Sequence, residues 1–199
     1  MKIAVLADDE QWEELINGIQ SVNWQRMFSL NDIPPADAYI ILSEFDIAAF
    51  KNISKPILLN AVTPTLKELN ASSNVIRING WKGFLLRKQW DIAGIINEEA
   101  QEIFSAMQKQ IFTVADEPGL VAAKPISMII NEAYFALEQS VSTKSEIDTA
   151  MKLGTNYPFG PFEWAGIIGL HNIYNLLHLL SLTDTRYTPS SLLKKEAAE

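Results

Sequence analysis

The sequence predicts an α/β part followed by an all-helical part, and two observations carry this prediction. Short apolar runs without polar alternation, such as residues 3–7, recur between helical stretches in the first 117 residues. Such runs are typical of strands buried on both faces of a mostly parallel, doubly wound sheet. After residues 116–119 no further strand pattern occurs, and the apolar residues recur with helical period. We therefore expect domains at 1–117 and 118–199.

The individual elements follow from the same patterns. Trp12, Leu15, Ile16 and Ile19 form one stripe of an amphipathic helix, and residues 95–107 repeat that pattern. Strands are predicted at 3–7, 23–29, 38–42, 56–60, 75–78 and 111–114. Helices are predicted at 120–139, at 143–154 behind a T-x-x-E capping box, and at 162–168 and 171–180 on either side of Gly169.

Composition excludes several classes of protein. The 199 residues are 48% hydrophobic and 20% charged, as expected for a globular chain with a core. The net charge of −8, with no basic cluster, argues against nucleic-acid and anionic-membrane partners. The absence of cysteine removes disulfides, thiolate nucleophiles and cysteine-bound zinc. No stretch approaches the ~20 apolar residues of a membrane span, and the N-terminal run is too short for a signal peptide. We expect a cytoplasmic protein.

The first strand–helix turn, A-D-D-E-Q-W at residues 7–12, is where a doubly wound fold would hold a dinucleotide. A pyrophosphate needs glycines at this turn so that backbone N–H groups can reach it. Here no glycine is present, and Asp8, Asp9 and Glu10 are better suited to capping the helix themselves. Asp32, near the expected position of a ribose-binding acid, is more simply a turn residue. These residues predict that no cofactor is bound.

Other candidate residues favour packing or solvent-exposed roles. His171 and His178 share a helix face, but no third ligand accompanies them, so no metal site is expected. The five tryptophans are irregularly spaced and are assigned to the core. Lys82, Arg87 and Lys88 form one small cationic group, which could contact a phosphate or a carboxylate, or lie in a solvated loop.

Several motifs of the second half carry a specific resemblance. They are D-E-P-G-L-V at 116–121, I-D-T-A-M-K-L-G at 147–154, Y-P-F-G-P-F-E at 157–163 and P-S-S-L-L-K-K at 189–195. In this order they resemble the C-terminal domain of the 3-hydroxyacyl-CoA dehydrogenase family. The resemblance implies a helical domain of the 6-phosphogluconate-dehydrogenase C-terminal type, which dimerises and closes over an acyl-CoA. It also implies that residues 1–117 are a shortened, Rossmann-like relative of an NAD-binding domain.

The resemblance implies a histidine–glutamate pair for acid–base catalysis, assisted by a serine and an asparagine. R-I-N-G-W-K at 77–82 resembles the segment that carries the histidine, and it places Lys82 there. The glutamate belongs within 91–94, where only Asp91 is acidic. The asparagine position reads Ala123-Lys124, and the serine segment offers Thr63 or Thr65. We therefore predict no catalytic residues in the family's sense, with Lys82 and Asp91 as weak candidates.

Three functions remain open at this stage. The first is a dimeric pseudo-enzyme that has lost NAD binding and catalysis and binds an acyl-CoA, another small ligand or a partner protein. The second is a divergent oxidoreductase of fatty-acid metabolism, in which a cleft holds Lys82 and Asp91 and the pKa of the lysine is lowered. The third is a fragment that acts with a separate catalytic chain.

Overall fold

The computed structural model describes residues 1–43 and 45–198, which fall into two compact units. The first unit is Met1–Leu120 and contains all the strands of the described residues, and the second is Val121–Glu199 and is helical. The sequence placed the change between residues 117 and 118. In the structure, the boundary along the sequence falls between residues 120 and 121, just after the D-E-P-G motif.

The first unit is built around a seven-stranded sheet, and its strands are, in chain order, β1 (Lys2–Leu6), β2 (Asn23–Met27), β3 (Ala38–Ile41), β4 (Ile57–Asn60), β5 (Val75–Ile78), β6 (Gln89–Ala93) and β7 (Gln110–Thr113). They lie side by side in the order β2-β1-β3-β4-β5-β6-β7. All neighbours are parallel except β5 and β6, which are antiparallel. The predicted α/β half with a mostly parallel sheet is confirmed.

The central strands are apolar throughout because both faces of the sheet are covered. Side chains alternate across a strand, so Ile3 and Val5 join the core on one face while Ala4 and Leu6 join the core on the other. All of these are buried. This two-sided burial explains why the sequence shows unbroken apolar runs instead of an alternating pattern.

The two faces are covered by different kinds of structure. Helix α1 (Asp9–Ile16) and helix α2 (Glu98–Ala106) pack Leu15 and Phe104 onto the face that includes Ile3. The opposite face is covered by connecting segments and a short 3-10 helix, Ile47–Phe50. The doubly wound arrangement therefore has regular helices on one side only among the described residues.

Strand β6 was not predicted from the sequence. It reads Q-W-D-I-A, so polar Gln89 and Asp91 alternate with buried Trp90 and Ile92, and two basic residues precede it. Alternation over so few residues next to a charged segment gives a weak signal for a strand. Its antiparallel pairing aligns Arg77 with Ala93 and Ile78 with Ile92.

Among the described residues, the second unit contains a short 3-10 helix, Thr185–Tyr187, and five α-helices, α3 (Ala123–Glu138), α4 (Lys144–Thr155), α5 (Pro161–Ile168), α6 (Leu170–Ser181) and α7 (Ser191–Glu196). The predicted capping box at Thr143 is confirmed. The Thr143 N–H donates to the Glu146 carboxylate at 3.1 Å, and Thr143 Oγ1 accepts from the Glu146 N–H. Gly169, with φ of +90°, separates α5 from α6 as expected.

A buried carboxylate fixes the start of α5. Asp148 of α4 is 8% exposed, and it accepts hydrogen bonds from the N–H groups of Phe162 and Glu163 at 2.8 and 3.2 Å. These are N–H groups that a helix start leaves without intrahelical partners. Gly160 passes so close that an added Cβ would lie 2.3 Å from Asp148 Oδ1. The motif residues within 147–163 therefore hold α4 against the start of α5.

We predict that Gly160→Ala destabilises the protein by roughly 1–3 kcal/mol, because the added methyl group would displace the Asp148 carboxylate from the start of α5. Gly154→Ala is the matched control, since nothing lies within 4 Å of its added Cβ. In a helix that change should stabilise by about 0.5–1 kcal/mol. Urea unfolding of both variants measures the difference, and equal effects would contradict this account of the junction.

Candidate functional site

The turn between β1 and α1 is closed by its own side chains. Asp8 is the N-cap of α1, and its Oδ1 accepts from the Gln11 N–H at 2.8 Å. The Gln11 side chain reaches back to the Asp8 N–H at 3.5 Å, which completes a capping box. The predicted capping role is confirmed for Asp8, and Asp9 and Glu10 follow it in the first turn of the helix.

Lys82 is brought to this same turn. Its ammonium lies 2.5 Å from Glu10 Oε2 and 3.1 Å from Asp8 Oδ2. The hydrogen bond with Glu10 is the main cause that raises the pKa of Lys82, and Asp8 raises it further. The divergent-enzyme hypothesis required a lowered lysine pKa, and the structure gives the opposite direction. Lys82 is therefore a cation held between two carboxylates.

The segment that carries Lys82 is held by further polar contacts from α1. Gln11 Nε2 donates to the Gly80 carbonyl at 2.9 Å, and Glu14 Oε1 accepts from the Gly83 N–H at 2.6 Å. Burial raises the pKa of Glu14. These contacts fix both sides of position 82 against α1.

Lys109 holds the other end of this segment. Its ammonium donates to the carbonyls of Leu85 and Arg87 at 2.6 and 3.0 Å, and it lies 4.9 Å from the centre of the Trp90 ring. Burial lowers the pKa of Lys109 to about 8. A backbone segment clamped in this way from two elements has little freedom to rearrange around a ligand.

The turn does not fit a dinucleotide pyrophosphate in the usual manner. The N-terminus of α1 is already capped by Asp8, and Lys82 is paired with the acids of the turn instead of being free for an anion. An open groove of about 790 Å³ beside α1 is lined in part by Asp9, Glu10, Glu13 and Glu14, which would repel phosphate. These residues therefore offer no suitable place for a dinucleotide pyrophosphate at this turn.

Asp91, the second weak candidate, lies in a different place. It is on β6 and lines a small recess together with residues of the 79–90 segment. Lys82 is not among the residues that line this recess. Lys82 and Asp91 therefore have different neighbours. These contacts do not form the predicted cleft that would hold both side chains.

The remaining candidates have structural or exposed positions. Thr65 Oγ1 accepts from the Glu68 N–H at 3.1 Å, and the Glu68 carboxylate accepts from Thr65, which lowers the pKa of Glu68. Asp32 lies in an exposed bend. His171 and His178 are exposed, and the His178 ring stacks on Tyr174. In the described part of the chain, no three potential metal-ligating side chains form a group.

Arg77 is a buried residue whose role the sequence did not reveal. Its side chain is fully buried, and it donates to the Ala61 carbonyl at 2.7 Å, to the Val62 carbonyl at 3.0 Å and to Asp116 Oδ1 at 2.5 Å. Burial alone would raise the pKa of Asp116, but hydrogen bonds from Arg77 and from the N–H groups of Leu66 and Lys67 lower it. An arginine inside the apolar strand V-I-R-I was the available signal.

Comparison with known proteins agrees with the motifs of the second unit. Residues 119–199 match the family described as "3-hydroxyacyl-CoA dehydrogenase, C-terminal domain". The expected resemblance of the helical half to the C-terminal domain of this family is therefore confirmed. The 3-hydroxyadipyl-CoA dehydrogenase of Escherichia coli is 43% identical over 91 residues, which are 45% of this chain and 19% of that protein. The chain spans well under half the length of the curated relatives it matches.

Two solved structures share the fold of nearly the whole chain. One is Mycobacterium tuberculosis FadB2, with a TM-score of 0.76 at 14% identity over 98% of this chain and 93% of that one. The other is the (S)-3-hydroxybutyryl-CoA dehydrogenase PaaH1 of Ralstonia eutropha, with 0.74 at 17% identity over 99% and 93%. At this identity the likeness shows the fold, a Rossmann-like unit followed by a helical one. The predicted fold class is confirmed.

The match to the 3-hydroxyacyl-CoA dehydrogenase family corrects the expectation about cofactors. The sequence predicted that none is used, and this was wrong, because the family is one of NAD-dependent dehydrogenases. The error came from treating a single turn as decisive for the whole chain. No helix within the described ranges is both long and apolar enough to span a bilayer.

We predict that Arg77→Met destabilises the protein by about 3–5 kcal/mol, since it leaves a carboxylate and several carbonyls without their buried partner. Arg186→Met is the matched control, because its ion pair with Asp184 is exposed and should contribute less than about 1 kcal/mol. Urea unfolding compares the two variants. Similar small losses would show that the buried network is dispensable.

We predict that the free energy of unfolding rises with pH between about 8 and 10 because of Lys109. The folded-state pKa of Lys109 is about 8 against an ordinary value of 10.5, so the unfolded state binds more protons in this interval. Chemical denaturation at several pH values measures the slope, and Lys109→Met should reduce it. The same slope in both proteins would refute the assignment.

Proposed function

We propose that this chain is a member of the 3-hydroxyacyl-CoA dehydrogenase family that does not itself catalyse hydride transfer, and that it binds an acyl-CoA thioester as a homodimer. One observation carries the loss of catalysis. The residue at the family's histidine position, Lys82, is an ammonium paired with Asp8 and Glu10.

The argument rests on the requirements of acid–base catalysis. Removal of a proton from a 3-hydroxyl group needs an acceptor that is unprotonated near neutral pH and lies beside that hydroxyl. Ion pairing raises the pKa of Lys82 above the ordinary lysine value, so it stays protonated. Both of its carboxylate partners belong to the α1 turn. The ammonium is therefore engaged in ion pairs and is not available to accept a proton from a hydroxyl group.

The assisting positions support the same conclusion. Ala123 replaces the asparagine of the resemblance, and its methyl group cannot donate or accept a hydrogen bond. Thr65 uses its hydroxyl to cap the turn that contains Glu68. Neither residue offers a free polar group where the resemblance would place one.

The proposed ligand class comes from the relatives of the helical unit. The curated relatives are named for CoA thioesters, among them 3-hydroxyadipyl-CoA and 3-hydroxybutyryl-CoA. A chain that keeps the helical unit and lacks the proton acceptor is suited to retaining a thioester without converting it. The role that we propose is therefore that of a binding protein in fatty-acid metabolism.

The proposed homodimer uses exposed apolar side chains of the helical unit. Leu153 is 83% exposed and Leu182 is 69% exposed. These two leucines are the side chains that we assign to the proposed contact, since an apolar patch on a protein surface marks an interaction site. The resemblance implies dimerisation through the same unit.

We predict that the protein does not oxidise NADH with acetoacetyl-CoA above the uncatalysed rate, while acetoacetyl-CoA stabilises it thermally. A ligand at 100 times its dissociation constant adds about 2.7 kcal/mol of stability, which a thermal-shift assay detects. Neither Lys82→Met nor the control Lys55→Met should change the rate of NADH oxidation, which stays at the uncatalysed level. Lys55 is the control because it is an exposed lysine that pairs with Glu99. Turnover that falls only in Lys82→Met would instead establish a divergent oxidoreductase.

We predict that the protein elutes as a dimer in size-exclusion chromatography with light scattering, and that Leu153→Glu shifts it to monomer by placing a charge in an apolar contact. Leu86→Glu is the matched control, because Leu86 is a similarly exposed leucine of the first unit. A monomeric wild-type protein, or dissociation by both variants, would contradict the proposed interface.

A further inference from the structure

Asn79 is a buried amide with only half of its hydrogen-bonding capacity used. It is 7% exposed, and its Oδ1 accepts from the Trp81 N–H at 3.2 Å. This bond fixes which end of the amide is the acceptor. Nδ2 is buried and has no partner among the described protein atoms. A buried donor without a partner is unfavourable and rare in folded proteins, so it calls for an explanation.

Asn131 is a buried amide for comparison, and both of its polar atoms have hydrogen-bond partners. It is 2% exposed, its Nδ2 donates to the Thr188 carbonyl at 2.9 Å, and its Oδ1 accepts from the Ser190 N–H at 2.9 Å. Both ends of that amide therefore have protein partners. Asn79 differs in having a partner at one end only.

Asn79 lines a small recess in the first unit. The recess offers about 10 Å³ of space to the centre of a water molecule, and its lining consists of Asn79, Phe84, Arg87, Gln89, Trp90 and Asp91. That volume is about the minimum needed to hold one water. Ile78 pairs with Ile92, and the residues next to this pair, Asn79 after Ile78 and Asp91 before Ile92, both line the recess.

The lining determines which ligand fits. An N–H donor disfavours a metal cation, and the Asp91 carboxylate disfavours a small anion. The space excludes anything larger than a single small molecule. A ligand that both accepts from an amide and donates to a carboxylate, and that has this size, is water.

We propose that one water molecule occupies this recess, accepting from Asn79 Nδ2 and donating to the Asp91 carboxylate. Asn79 is thereby linked to Asp91 through the water. This inference does not depend on the proposed loss of catalysis, because it concerns only the hydrogen bonding of the two side chains.

The test is a pair of measurements on the whole protein. In nuclear magnetic resonance, the side-chain amide protons of Asn79 should show direct cross-peaks to a long-lived water, whereas those of Asn131 should show none. A high-resolution crystal structure should contain a water within hydrogen-bond distance of Asn79 Nδ2 and the Asp91 carboxylate. Asn79→Leu and Asp91→Ala should each lose this water.

Several results would overturn the proposal. They are a dry recess in a structure that resolves other buried waters, the absence of Asn79 cross-peaks, or a protein acceptor found at Nδ2. If Asn79→Leu fails to fold, the wild-type cross-peaks and the Asp91→Ala crystal structure still decide the question.

Discussion

The guanidinium of Arg77 places a positive charge inside the first unit, and the surrounding chain must supply partners for it. Those partners come from two separate segments, the turn after β4 and the acid at residue 116. A buried charge without partners is far more costly than any single contact of the fold. The turn, strand β5 and the segment leading to Gly119 therefore depend on each other, and the Gly119 N–H completes the group by donating to Val62.

The family motifs of this chain divide by their physical roles. Arg77, Asp116, Asp148 and Gly160 hold segments in place, and the structure gives each of them buried partners or close packing. Position 82, by contrast, is where the resemblance places reaction chemistry, and it carries a different residue here. The likeness of this chain to a dehydrogenase family is thus carried by residues that build the fold, and a likeness of that kind does not by itself fix an activity.

The sequence was most informative where a local pattern determines the structure. Unbroken apolar runs identified the strands that are buried on both faces, and the capping residues Asp8 and Thr143 marked helix starts. It failed for β6, whose existence depends on pairing with β5 and β7 more than on its own residues. It also could not pair Lys82 with Asp8 and Glu10, because that contact requires the strand order of the whole sheet.

The unequal covering of the sheet has a consequence for how this unit fluctuates. On one face, regular helices satisfy their own backbone hydrogen bonds, and they must separate as bodies before the strands beneath are exposed. On the other face, the cover is a short 3-10 helix and connecting segments. Such cover can detach piece by piece at low free-energy cost. In native-state hydrogen exchange, the amides of those segments should exchange much faster than those of α1 and α2. Proteases should accordingly cleave the first unit in those segments first.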